Sequence, residues 1–202
     1  DLLNYEMDLF TDWFINKYLG LTLSSLERSL LDKIFLLMIE NAQIQPKVLV
    51  HRDFHSRNLM ELNIFNTSDT SDISDISDIS IGVIDFQDAM RGPFTYDLVS
   101  LLKDCYISWP RTNILEWVEL FYRQSTLTSN YSLTEFIRAF DLCGLQRHLK
   151  VLGIFSRLHL RDNKPGYLKD LPLTLRYVLE CTEIYEELHP LFHMLQTRVY
   201  LP

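Results

Sequence analysis

His51-Arg52-Asp53-Phe54-His55-Ser56-Arg57-Asn58 and Val83-Ile84-Asp85-Phe86-Gln87-Asp88 are the two stretches on which the reading of this chain turns. The first follows Val48-Leu49-Val50, and the second grows out of Ile81 to Ile84. Short runs of this kind predict strands, and Leu59 to Phe65 is a third candidate. Polar side chains at the ends of apolar strands can converge on a cleft. Between the last two strands lies a repeated Ser-Asp-Ile/Thr triplet, residues 67–80. It is low-complexity and too polar to pack, and is expected to be a solvated loop expanding a hairpin turn. A neutral expansion is favoured over a cation-binding role, because surface loops tolerate added length cheaply.

Outward from this segment the hydrophobic period becomes helical. Tyr5 to Leu19 predicts one helix, stopped by Gly20. Ser24 and Glu27 form a capping-box pattern ahead of Leu26, Leu30, Ile34, Leu37 and Met38, a helix to about Ala42. Downstream, helices are expected from Asp97 to Tyr106, around Ile114 to Phe121, from a second capping box at Ser132 and Glu135 through Phe155, and after Pro172. Trp109, Trp117, Phe121 and Tyr122 read as core, and Arg147, His148 and Lys150 as a solvated helix face. The predicted fold class is α+β, mostly α-helical, with a small β hairpin carrying the unusual residues.

The chain has 202 residues, 47% hydrophobic and 23% charged, enough apolar content for one domain with a real core. Lys and Arg number 19 against 27 Asp and Glu, a net charge of −8, which argues against general nucleic-acid binding. No apolar run is long enough for a membrane span, and no signal peptide opens the sequence. Opening on Asp1 rather than Met, the chain is expected to lack an upstream portion. Cys105, Cys143 and Cys181 are widely spaced and odd in number, which fits buried thiols in a reducing cytoplasm better than disulfides or zinc.

Phosphoryl transfer from ATP needs a carboxylate that holds the acceptor hydroxyl and hard oxygen ligands for Mg²⁺. Asp53, Asn58 and Asp85 supply that set. Asp53 to Asn58 follows the kinase catalytic-loop spacing His-Arg-Asp-x-x-x-x-Asn, and Asp85-Phe86 corresponds to the metal-binding Asp-Phe-Gly with Gln87 in place of glycine. Asp53 is thus the candidate base, and Asn58 and Asp85 the candidate metal and cofactor ligands. His55, Arg57, Gln87 and Asp88 are candidates for substrate or phosphate contact, and His51 for packing under the loop.

These motifs, with Gly92-Pro93-Phe94-Thr95-Tyr96-Asp97-Leu98, resemble the aminoglycoside phosphotransferase family of kinase-like enzymes. The wording His-Arg-Asp-Phe-His-Ser-Arg-Asn-Leu-Met, Asp-Phe-Gln-Asp-Ala and Tyr-Asp-Leu-Val-Ser-Leu-Leu-Lys-Asp-Cys-Tyr is similar to one subgroup, bacterial anomeric kinases of N-acetylmuramate and N-acetylglucosamine. The resemblance implies a kinase-like C-terminal lobe spanning 1–202, with ATP and Mg²⁺ as cofactors and a small-molecule acceptor. It also implies that Asp97 braces the catalytic loop through backbone N–H groups. Neither a Gly-rich phosphate loop nor a strand lysine is expected upstream, so the N-terminal nucleotide-clamping lobe is read as absent and the chain as inactive alone. Rival readings are an aminoglycoside or other small-molecule kinase, a protein kinase, a non-catalytic pseudoenzyme or binding module, and a metal-dependent hydrolase built on His51-x-Asp53-x-His55. No Ala-Pro-Glu follows Asp85, and Asp97-Leu98 comes too soon after it for a peptide-seating segment, which disfavours the protein kinase.

Overall fold

The computed structural model describes residues 2–62 and 80–201. Of the expected 67–80 insertion, all but Ser80 lies outside the described residues. The elements run in the order α1 (Leu2–Leu9), a π-helical continuation (Phe10–Tyr18), α2 (Ser25–Ile44), β1 (Lys47–Val50), β2 (Leu59–Leu62), β3 (Ser80–Val83) and β4 (Met90–Pro93). Five more helices follow: α3 (Tyr96–Leu102), α4 (Arg111–Gln124), α5 (Leu133–Leu160), α6 (Leu171–Ile184) and α7 (His189–Arg198). The chain is mostly helical with small antiparallel sheets, as the hydrophobic periods require.

The first helix departs from expectation. It widens at Phe10 into turns in which Leu19 N–H reaches back five residues to the Phe14 carbonyl, 3.0 Å. Phe10, Phe14 and Tyr18 stack along this segment, with ring centroids 5.6 and 6.1 Å apart. Gly20, at φ 66°, turns the chain out of it. Both predicted capping boxes form, Ser24 with Glu27 and Ser132 with Glu135, each pairing side chain and backbone reciprocally. Glu27 also accepts from Arg198 near the end of α7, tying the start of α2 to the end of the chain.

The β structure is two sheets rather than one. β2 pairs with β3 as the expected hairpin, Leu59 opposite Val83 and Leu62 opposite Ser80. β1 pairs instead with β4, Lys47 opposite Pro93 and Val50 opposite Met90. The sequence hides β4 because Gly92-Pro93 reads as a breaker, yet the glycine permits the pairing. A Cβ on Gly92 would lie 2.7 Å from Val50 Cγ2. α3 also ends earlier than expected, at Leu102, leaving Lys103 to Tyr106 irregular.

α5 is the axis of the molecule. Its length crosses two apolar clusters. One joins Phe10, Phe14, Leu31, Met38, Leu145, Leu149, Leu152, Val178 and Leu191. The other joins Val50, Phe94, Val99, Ile114, Val118, Phe136 and Phe140 beneath β1 and β4. Trp117, Phe121 and Tyr122 pack on the second cluster as expected, but Trp109 is exposed and meets Trp117 only edge-on. Encirclement also corrects the reading of Arg147 and His148. Neighbours cover α5 on every side, so this stretch is buried rather than solvated. His148 stacks on Tyr177, and burial pushes its imidazole down to about 3. The three thiols are free and buried, and no helix among the described residues is long and apolar enough to cross a membrane.

Two outcomes follow from this packing. A Cβ on Gly153 of α5 would lie 2.4 Å from the Leu9 carbonyl group, which is backbone and cannot swing aside. Gly153→Ala is therefore expected to destabilise the fold by about 1–3 kcal/mol in urea denaturation. Hydrogen bonds from Arg198 first, then from Ser24, hold the Glu27 carboxyl down to about 2, against an ordinary 4.5. The folded state thus binds this proton less readily than the unfolded chain, and the stabilisation is complete above about pH 4.5 and fades toward pH 2. Glu27→Gln should be less stable than the parent at pH 7, and denaturation across pH should show the gap closing between those limits.

Candidate active site

The loop from His51 to Asn58 is folded by short backbone bonds within itself and by three carboxylates outside it. His55 N–H donates to the Asp53 carbonyl, 3.0 Å, and Asn58 N–H to the His55 carbonyl, 2.9 Å. Ser56–Asn58 makes one 3₁₀ turn that delivers the chain into β2. Asp97 accepts from His51 N–H at 2.7 Å and from Arg52 N–H at 3.0 Å. Asp97 is not a helix cap: α3 starts at Tyr96 with Thr95 as N-cap, so Asp97 sits in the first turn with its carboxylate turned to the loop.

Two supports were not foreseen. Asp104, buried, accepts from both N–H and hydroxyl of Ser56 and from Tyr106 N–H. Glu6 of α1, also buried, pairs with Arg52 at 3.1 Å and Lys150 at 2.9 Å, and accepts from Gln146 at 2.8 Å. An acid between the apolar neighbours of α1 was the available signal, since buried charges are rarely unpaired.

The second stretch meets the first at the end of β3. Ile84 N–H donates to the Asn58 carbonyl, 3.1 Å, and His51 Nε2 lies 2.9 Å from the Ile84 carbonyl. Facing a carbonyl, Nε2 must carry the imidazole proton, and His51 thereby pins one loop to the other. Asp85 then takes φ 69°, as Arg52 takes φ 75°. Neither is glycine, so each holds backbone strain of about 1–3 kcal/mol that the surrounding bonds must offset.

The side chains converge. Asn58 Nδ2 donates to the Asp53 carbonyl at 3.0 Å and lies 3.4 Å from Asp85 Oδ2. With its amide nitrogen so engaged, Asn58 keeps Oδ1 as a free oxygen donor. Gln87 Nε2 donates to Asp85 Oδ1 at 2.7 Å. The Asp53 carboxylate accepts no hydrogen bond from any described residue and lines a small cavity. The set is one carboxylate and one amide oxygen side by side, with a second carboxylate across the loop. It suits Mg²⁺, a hard cation usually held by one or two protein oxygens with waters and phosphates completing an octahedron. Among the described residues no group of three His, Cys, Asp or Glu side chains could hold a metal, so the His51-x-Asp53-x-His55 hydrolase geometry does not form.

The other candidates divide. His55 lines the cavity with Asp53, and burial foremost lowers its imidazole pKa, favouring the neutral ring. Arg57 is exposed, its guanidinium 3.4 Å from the centre of the Tyr106 ring. Asp88 is exposed. Lys47 of β1 directs its ammonium to the Ala42 carbonyl at the end of α2.

A helical body with paired strands, in which the asparagine of one loop bonds that loop's aspartate at its backbone and lies beside the aspartate of a second loop, is consistent with the arrangement of kinase-like phosphotransferases. Residues 6–131 match the phosphotransferase enzyme family APH, and the chain belongs to that family. It is 40% identical over 182 residues to the N-acetylmuramate/N-acetylglucosamine kinase of Pseudomonas putida, covering 89% of this chain and 49% of that one. It is 39% identical over 193 residues to the kinase of the same name from Neisseria meningitidis, covering 94% and 53% respectively. The chain thus spans about half the length of the curated relatives it matches.

Asp97→Ala would leave two loop N–H groups without their acceptor while Arg52 keeps its strained φ. The expected loss is about 1–3 kcal/mol of stability, with amide-exchange protection lost first at His51 and Arg52, as measured by hydrogen exchange.

Proposed function

We propose that this chain carries the catalytic machinery of an ATP-dependent kinase that phosphorylates a hydroxyl of an amino sugar. It corresponds to the C-terminal lobe of the kinase-like fold. The observation that supports the reading is that Asn58 links the two separated loops, donating to the Asp53 carbonyl and lying beside the Asp85 carboxylate. The names of the relatives support an amino-sugar acceptor of the N-acetylmuramate or N-acetylglucosamine type. Three buried free thiols support a reducing cytoplasmic setting.

In this reading Asp53 holds the acceptor hydroxyl through its unengaged carboxylate and takes its proton as the oxygen attacks the γ-phosphorus of ATP, while the bond from that phosphorus to the β,γ-bridging oxygen breaks and ADP leaves. Asn58 presents Oδ1, and Asp85 its carboxylate, to Mg²⁺. Bound there, the ion supplies charge neutralisation on the phosphates. Gln87 orients Asp85 and His51 fixes the spacing of the two loops, so these groups are placed before substrate arrives. Nucleotide clamping would come from a preceding lobe, because Lys47 is committed to α2 and no Gly-rich loop lies before His51.

The test is phosphate transfer from ATP and Mg²⁺ to a panel of amino sugars and aminoglycosides, using the complete polypeptide that contains this chain. Asp53→Ala is expected to lower kcat about 10²–10⁴-fold with an unchanged melting temperature. Turnover equal to the parent would remove Asp53 from the chemistry.

A further inference from the structure

α5 brings a second set of groups to Asp53. The cavity there, about 110 Å³, is walled by Asp53, His55, Tyr106, Arg147, Lys150 and Phe155 among others. It is too small for a whole sugar but has room for a substituent of several heavy atoms. Lys150 already pairs with Glu6 at 2.9 Å, a carboxylate it shares with Arg52, and also donates to the Tyr96 hydroxyl at 3.1 Å.

Arg147 forms no ion pair among the described residues, although the Asp53 carboxylate shares its cavity. It is 5% exposed, and its one polar contact is the Cys105 sulfur, 3.5 Å from Nη1. Among the described residues no carboxylate lies within ion-pair distance of it. A buried cation just past the end of α3 is treated differently: Lys103 sits 2.8 Å from Asp141, which Arg111 and Tyr185 also meet. A buried guanidinium is costly unless an anion faces it, and its planar fork of donors matches a carboxylate. Arg147 lines this cavity together with Asp53, and among the described residues only its Nη1 has a hydrogen-bond partner. An acidic acceptor brought to Asp53 would meet a like charge, and Arg147 is placed to offset that repulsion.

We propose that Arg147 sets acceptor specificity: its guanidinium takes the carboxylate of an acidic amino sugar, seated as an arm in this cavity while the hydroxyl to be phosphorylated lies at Asp53. This rests on the kinase reading above and deepens it. N-acetylmuramate and N-acetylglucosamine are the matched probes, since the first carries an ether-linked carboxylate where the second carries a hydroxyl.

Binding of each sugar to the complete polypeptide is measured by calorimetry, parent against Arg147→Gln, with phosphate transfer followed in parallel. The parent should prefer the acid, and Arg147→Gln should weaken acid binding about 10–100-fold while shifting the neutral sugar less than about 3-fold. Equal losses for both sugars, or a preference that survives the substitution, overturn the proposal, as does a parent that binds neither. Should Arg147→Gln not fold, Arg147→Lys keeps the charge and removes the fork. A selective loss of about 3–10-fold on the acid is then expected, and no selective loss overturns the assignment. An Arg147-dependent preference for the acid without phosphate transfer upholds the acid site and defeats the kinase reading. Phosphate transfer without that preference does the reverse.

Discussion

The carboxylate of Asp97 accepts the backbone N–H groups of His51 and Arg52, and the site depends on that pair of bonds. Arg52 stands at φ 75°, a conformation its side chain disfavours. A carboxylate facing two amides makes charge-assisted bonds, the strong kind, and so can hold a strained turn that neutral turn bonds would not. Asp104 does the same for Ser56 farther along, and Glu6 grips the Arg52 side chain from α1. Three acids, one on α3, one in the irregular stretch after it and one on α1, thus fix the start, the far half and the flank of one eight-residue loop.

Those acids belong to a wider pattern of buried charge arranged around α5. Asp141 is fully buried yet meets Lys103, Arg111 and the Tyr185 hydroxyl. Burial alone would raise its pKa, but the two cations outweigh that and hold it below the usual carboxylate range. Removing one partner from such a cluster costs more than the cluster contributes, because an unmatched charge is left in the interior. The polar residues of α5 therefore act as register pins between the helical body and the loops. Arg147, with no carboxylate of a described residue within ion-pair distance, stands apart from them.

How much was legible in the chain varies with the range of the interaction involved. The capping boxes at Ser24 and Ser132 were plain because a cap is a local event, closed within four residues. The β2–β3 hairpin was legible because each strand is a short apolar run readable by itself and the two follow one another in the chain. The pairing of β1 with β4 was not, since it joins residues some forty positions apart and uses a Gly-Pro segment that local rules read as a break. The π-helical turns after Leu9 were hidden for a related reason: the apolar spacing of Phe10, Phe14 and Tyr18 fits an α-helix equally well. Arg147 and Lys150 read as surface because a polar run on a helix usually is, and only the neighbours of α5 could say otherwise.

The sequence by itself determined the mostly helical class, the hairpin, and the three oxygen-bearing candidates Asp53, Asn58 and Asp85, because spacing along a chain constrains which chemistry a loop can offer. Only the tertiary structure decided that Asn58 lies beside Asp85, that Asp97, Asp104 and Glu6 hold the loop, and that Arg147 faces the cavity at Asp53. Those are contacts between residues far apart in the chain. Their partners are chosen by packing around α5, where a buried charge must find its counterpart or keep a place for one.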